Sequence, residues 1–105
     1  MMFNKMQFNI TCVKEHLREK GFVFTVRGYD LKDGFVEVDG IGRCYRRKIG
    51  EIKDVWKLGN YSAFSGFYHN LIEDGINEWW WIIEKMCKDK PKFLYLIILI
   101  KEGGE

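Results

Sequence analysis

Residues 93–100 read Phe-Leu-Tyr-Leu-Ile-Ile-Leu-Ile, an unbroken apolar run that begins just after the chain's single proline, Pro91. A strand with one wet face alternates polar and apolar side chains, and this segment has no charged or amide position to turn toward water. It is also far short of the roughly 20 residues that a membrane-spanning helix needs. The run therefore predicts a strand covered on both faces and lying centrally in a sheet or barrel. The rest of the chain must be arranged around it, and a length of 105 residues fits one domain over residues 1–105.

The other elements follow from spacing. A short strand is expected over residues 6–10. Thr11 then stands as the cap of a helix whose apolar Cys12, Val13 and Leu17 recur at helical intervals and which stops at Gly21. The β-branched and aromatic residues 22–26 predict a strand, broken at Gly28 and again at Asp33-Gly34, a hairpin turn into a strand over Phe35, Val36 and Val38. Asp39-Gly40 turns the chain once more into a long strand over residues 41–52, which completes a meander. Residues 59–67 predict a short helix leading to a loop. In the following helix Asp74 is the expected cap, Ile76, Trp79, Trp80, Ile83, Met86 and Cys87 share one face, and Pro91 marks the end. Residues 102–105 read as a flexible tail. The expected fold class is α+β, a small mixed β-barrel with two or three flanking helices.

Composition narrows the function classes. The 17 Lys and Arg exceed the 15 Asp and Glu by only two, so the chain is no polycation and any nucleic-acid surface must be local. Cys12, Cys44 and Cys87 stand more than thirty residues apart, which offers neither a disulfide framework nor a zinc spacing, and they read as reduced core thiols of a cytoplasmic protein. Residues 1–14 lack the apolar stretch of a signal peptide, so a soluble protein with no membrane association is expected. His16 and His69 have no neighbouring ligand pair, and Gly34, Gly40 and Gly42 sit at turns rather than in a phosphate loop; no metal and no cofactor are expected. The single Ala63 and single Gln7 hint at an AT-rich genome or a thermophile.

Chemistry is expected in two places. On the long strand, alternation sends Arg43, Tyr45 and Arg47 to one face and Arg46 and Lys48 to the other. Residues 41–57 hold six basic side chains, Lys53 and Lys57 included, against Glu51 and Asp54. Arginines around a tyrosine suit phosphates beside a stacked base, and they equally suit an edge strand kept soluble by charge. Thr25 and Arg27 share a face of an earlier strand and could hold a phosphate or a base carbonyl, or form a structural ion pair. Trp79, Trp80 and Trp81 point in three directions on a helix, so two are expected in the core and Trp81 partly outside it. His69 beside Glu73 and Asp74, with Tyr68, stands as an acid and base set or as a solvated loop.

Taken in order, these features resemble the ASCH domain, of the small single-domain archaeal type, a β-barrel related to the PUA RNA-binding fold. The resemblance runs over residues 13–101. It rests on the helix ending at Gly21, Phe24-Thr25-Val26-Arg27, the strand over residues 42–52, Ser65-Gly66-Phe67, the acidic pair Glu73-Asp74, Glu78-Trp79 and the last apolar strand. The resemblance implies a cleft lined by Thr25, Arg27, Ser65 and Phe67 that binds RNA or a modified nucleoside. Some ASCH proteins hydrolyse an acyl group from a modified cytidine with a Lys, Thr and Glu set, and others act as ribonucleases. Here Phe22 occupies the position where such a lysine would stand, and a phenyl ring carries no proton.

The sequence thus leads to an RNA-binding or modified-nucleoside-binding module that uses Thr25, Arg27, Arg43, Tyr45, Arg46, Arg47, Lys48, Ser65 and Phe67. RNA or a nucleotide is the expected partner, with DNA as an option. A hydrolase acting on RNA or a nucleoside, with Thr25, Glu73, Asp74 or Lys53 as its polar groups, is the alternative. A protein partner or homodimer meeting Trp56, Tyr61 and Phe64 is the third reading.

Overall fold

A computed structural model describes residues 4–67 and 72–100. Its elements are β1 (Asn4–Met6), α1 (Thr11–Lys20), β2 (Phe22–Arg27), β3 (Gly34–Val38), β4 (Gly42–Glu51), α2 (Ile72–Cys87) and β5 (Phe93–Leu99), with two 3₁₀ segments at Val55–Asn60 and Ser62–Phe64 between β4 and α2. The apolar run at the end of the chain becomes β5, and it sits inside the sheet, whose order is β1-β3-β4-β5-β2. Both its edges are hydrogen-bonded, to β4 and to β2, antiparallel in each case. Leu94, Tyr95 and Ile97 are fully buried, Phe93, Leu96 and Leu99 are half-buried, and Ile98 is exposed. Burying an aliphatic side chain of this size stabilises the fold by about 1.5–3 kcal/mol, so Leu94 and Ile97 are among its strongest anchors.

That placement overrides the expected meander. Asp33-Gly34 does not join a hairpin, because β5 inserts between β2 and β4 and leaves β2 at one edge of the sheet. The β3–β4 hairpin around Asp39-Gly40 does form, with Val38 opposite Gly42. β1 lies parallel to β3 at the other edge, and it covers Asn4–Met6 rather than residues 6–10. The result is a small α+β protein whose mixed five-stranded sheet curls into a half-barrel. Among the described residues no ladder joins β1 to β2, so the half-barrel has an open side.

The helices depart from expectation at their starts. Ile10, in an extended conformation, is the N-cap of α1; Thr11 is already helical, and no side chain caps this end. At the other end Gly21 adopts a left-handed φ of 85°, and its N–H donates to the Leu17 carbonyl, as a glycine stop should. Asp74 lies within α2 rather than before it. The expected helix over residues 59–67 is instead 3₁₀ turns followed by a bend. Tyr68 and His69 lie outside the described residues.

The core joins the inner sheet face (Val23, Val36, Val38, Cys44, Ile97) to Val13 and Leu17 of α1 and to Trp79, Ile83 and Cys87 of α2. Trp80 is half-buried against this core and Trp81 is exposed, as the three-way divergence of consecutive helical residues requires. Burial drives the Cys44 thiol up to about 11, which fits an inert core cysteine. Among the described residues no helix is long and apolar enough to cross a membrane.

Among the described glycines, Gly66 leaves the least room for a side chain. Its φ is 88°, and a Cβ there would stand 2.7 Å from the Cα of Val13 and 2.9 Å from the Cys12 carbonyl oxygen. Gly66→Ala is therefore expected to cost about 2 kcal/mol or more. The thermal midpoint should fall by about 8 °C or more in a calorimetric scan. Gly59→Ala, with nothing within 4 Å of its new methyl, should stay within about 0.5 kcal/mol of the wild type. Equal midpoints for the two variants would refute the close packing of this turn on α1.

Candidate functional site

The open side of the half-barrel is where the chain carries polar groups into apolar surroundings. Thr25 and Arg27, two residues apart on the edge strand β2, share its inner face. Opposite them runs the segment that leaves β1 and enters α1. The Arg27 Nη2 donates to the Gln7 carbonyl oxygen at 3.1 Å, and its Cζ lies 4.8 Å from the centre of the Phe8 ring. Arg27 thus spans the gap that no strand ladder closes.

A cleft with a volume of about 80 Å³ opens at this point. Thr25 and Arg27 form one side, residues 7–10 and Val13 another, and Phe67 with Trp79, Ile82, Ile83 and Met86 of α2 the rest. The Phe67 and Trp79 rings are nearly parallel, 19° apart with centroids at 6.5 Å. A water-sized group needs about 10–15 Å³ on this measure, so the cleft takes roughly five to eight of them. That is the size of a single small ring system with its substituents.

Among the described residues, Arg27 is the one charged side chain that lines the cleft. Desolvation pushes the Arg27 guanidinium below its ordinary range, with Arg46 adding to the effect; an arginine nevertheless stays charged at neutral pH. Its Nε is buried with no hydrogen-bond partner, and among the described residues no carboxylate pairs with it. The uncapped first turn of α1 borders the same space through Ile10 and Val13, and a helix start adds positive potential there. Among the described residues the lining is thus largely apolar, with Gln7 and Asn9 as its amides, Arg27 as its cation and Thr25 as its hydroxyl.

No family model matches the chain, and no curated protein or solved structure matches it. The chemistry must be read from the cleft itself.

Of the residues singled out in the sequence, Thr25, Arg27 and Phe67 meet in this cleft. Ser65 does not line it: it is fully buried, and its Oγ accepts the Phe67 N–H at 3.2 Å, which shapes the bend that delivers Phe67. Lys53 is exposed and outside the cleft. Glu73 and Asp74 are on the first turn of α2, and their side chains lie outside the described residues. Phe22 packs away from Thr25, against Phe24, Phe64 and His16. Tyr61 rests on Phe24 and Phe64 is exposed, while the Trp56 side chain lies outside the described residues.

The basic strand turns out to serve the crossover that β5 forces. Residues 28–33 carry the chain from β2 across to β3, and β4 holds them down. Arg46 is only 4% exposed; its Nε and Nη2 donate to the Lys32 carbonyl oxygen at 3.0 and 2.7 Å, and it lies beside the Tyr95 ring. The Lys48 N–H donates to Asp33 Oδ1 at 2.6 Å, and its ammonium pairs with Asp30, a bond that holds the ammonium above its ordinary range. The Tyr95 hydroxyl completes the clamp by accepting from the Leu31 N–H at 2.5 Å and donating to the Tyr29 carbonyl at 2.6 Å. Arg43, Tyr45 and Arg47 face the other way, on the outside of the sheet. Sequence reasoning missed the wall formed by Gln7, Phe8, Asn9 and Ile10, because nothing in those residues signals that they face β2. It did find the stripe of Trp79, Ile83 and Met86, but read it as core alone.

Arg46→Ala should lower stability by about 2 kcal/mol, since the Lys32 carbonyl loses its charged donor, and Arg47→Ala should change it by less than about 0.5 kcal/mol. Urea midpoints of the two variants, taken side by side, decide whether the basic strand is built for the loop.

Proposed function

We propose that the cleft between β2 and the β1–α1 segment binds a single nucleobase, either a modified nucleoside or a base presented by RNA, and that the chain is an ASCH-like member of the PUA-like half-barrels. The observation that carries this reading is Arg27: a charged guanidinium with no carboxylate partner among the described residues, set in a largely apolar cleft beside a hydroxyl. Its fork can serve a base carbonyl or a phosphate, and the Thr25 hydroxyl can donate or accept in the same plane of recognition. Phe8, Phe67 and Trp79 border the cleft as buried aromatics and give it the apolar surroundings that suit a ring. A volume of about 80 Å³ suits one pyrimidine rather than a stretch of strand. The order of the T-x-R strand, the Ser-Gly-Phe bend and the Glu-Trp helix supports the same family reading.

Binding, rather than bond cleavage, is the reading that the lining favours. Among the described residues of the cleft, Arg27 is the sole titratable side chain, and an arginine does not shuttle protons at neutral pH. Cleavage of RNA in the binding assay would reverse that preference.

The direct test is calorimetric titration with cytidine, uridine, base-modified forms of each, and their monophosphates. The wild type should bind at least one of them, and Arg27→Gln should weaken that ligand tenfold or more, the loss expected for a charged hydrogen bond. Arg27→Gln also gives up the Gln7 contact, so its fold is checked by circular dichroism at the titration temperature. A folded Arg27→Gln protein that binds as tightly as the wild type would remove the cleft from the function.

A further inference from the structure

The outer face of the sheet carries a second arrangement that the cleft does not use. Strand register aligns Phe35 of β3, Tyr45 of β4 and Ile98 of β5 in one transverse row. Residues directly opposite in register point to the same side, so this row stands on the outside, away from the buried Val36, Cys44 and Ile97. Phe35 is 44% exposed and Ile98 37% exposed, although both belong to types that ordinarily enter a core. The Phe35 and Tyr45 rings meet edge to face at 5.2 Å. Two residues along β4 on either side of Tyr45, about 6.6 Å each way, stand Arg43 and Arg47 on the same face. Arg43 lies over the Phe35 ring with its Cζ at 4.6 Å from the centroid, opposite Glu37, and Arg47 is exposed.

We infer that this outer row is a stacking platform for single-stranded nucleic acid, with bases on Phe35 and Tyr45 and the backbone phosphate on Arg47. The occupant follows from the charge pattern. Aromatic faces alone would suit many partners, but Phe35 and Tyr45 beside the exposed Arg47, with Ile98 extending the apolar strip, combine the two elements that single strands require: π-faces for successive bases and a cation for the backbone. Arg46 and Lys48, which hold the crossover loop, are on the opposite face and take no part. The platform is independent of the cleft at the open side, and the two can fail separately.

The test uses fluorescence anisotropy of labelled oligouridylate, about eight nucleotides long, within the range of site sizes known for such surfaces. Wild-type protein should bind it at low salt. Phe35→Ala should weaken binding by about fivefold to 150-fold, the loss of one stacked base. Arg47→Ala should flatten the slope of log affinity against log salt by about 0.7, the contribution of one phosphate contact to a single strand. Both side chains are exposed, so both variants should fold as the wild type does. Arg27→Gln should leave the Phe35-dependent part of binding intact while weakening nucleoside binding in the cleft tenfold or more. Absence of oligouridylate binding, or binding that neither variant alters, would overturn the platform. A wild-type dimer in sedimentation that Phe35→Ala turns into a monomer would overturn it as well, by assigning the row to a contact between copies.

Discussion

The structure depends on the demand of β5 for neighbours on both edges. A strand with Leu94, Tyr95 and Ile97 fully buried is stable only between two other strands, and β2 and β4 are the pair that take it. Because β5 arrives last in sequence, it separates two strands that would otherwise be candidates for local pairing. The chain must then cross from β2 to β3 through residues 28–33, and a crossing segment has backbone groups that need partners. Arg46, Lys48 and Tyr95 supply them. A stretch that reads from sequence as a phosphate-binding strand is thus half committed to satisfying a loop.

The same insertion leaves β2 at an edge. An unpaired edge invites aggregation unless something blunts it. Here the blunting is done by side chains and a bend rather than by another strand: Arg27 reaches the Gln7 carbonyl, Phe8 lies under its guanidinium, and Gly66 brings Phe67 against the first turn of α1. What remains between them is a cleft whose single charge has no carboxylate of its own among the described residues. A desolvated cation is costly to keep. Its presence in an apolar cleft is easiest to understand if a ligand completes its hydrogen bonding.

Much of this was legible in the residues and some of it was not, for identifiable reasons. The interior position of β5, the stop at Gly21, the β3–β4 hairpin and the divergence of Trp79, Trp80 and Trp81 all follow from periodicity and turn chemistry, which act locally. The false hairpin at Asp33-Gly34 came from the same local rules, because a turn signal fixes where the chain bends and not which strand lies beside it. The meeting of Thr25, Arg27 and Phe67 in one cleft was expected from the resemblance to the ASCH domain, since residues forty positions apart carry no local sign of contact. The burial of Arg46 was invisible for a different reason: alternation assigns it to a face, but only the path of the crossover loop decides that this face is inside. Gln7 and Phe8 gave no signal, as their role is to present a carbonyl and a ring to an arginine twenty residues away.

In the proposed reading, the opening between β1 and β2, centred on Arg27, receives the base of a nucleoside or nucleotide. The most direct measurement is a titration of isotope-labelled protein, followed by heteronuclear NMR, with the pyrimidine monophosphate that binds best. The largest shifts should fall on the backbone amides of Gln7, Asn9, Thr25 and Arg27 and on the indole N–H of Trp79. Shifts concentrated on residues 43–48, with those cleft signals unmoved, would contradict it.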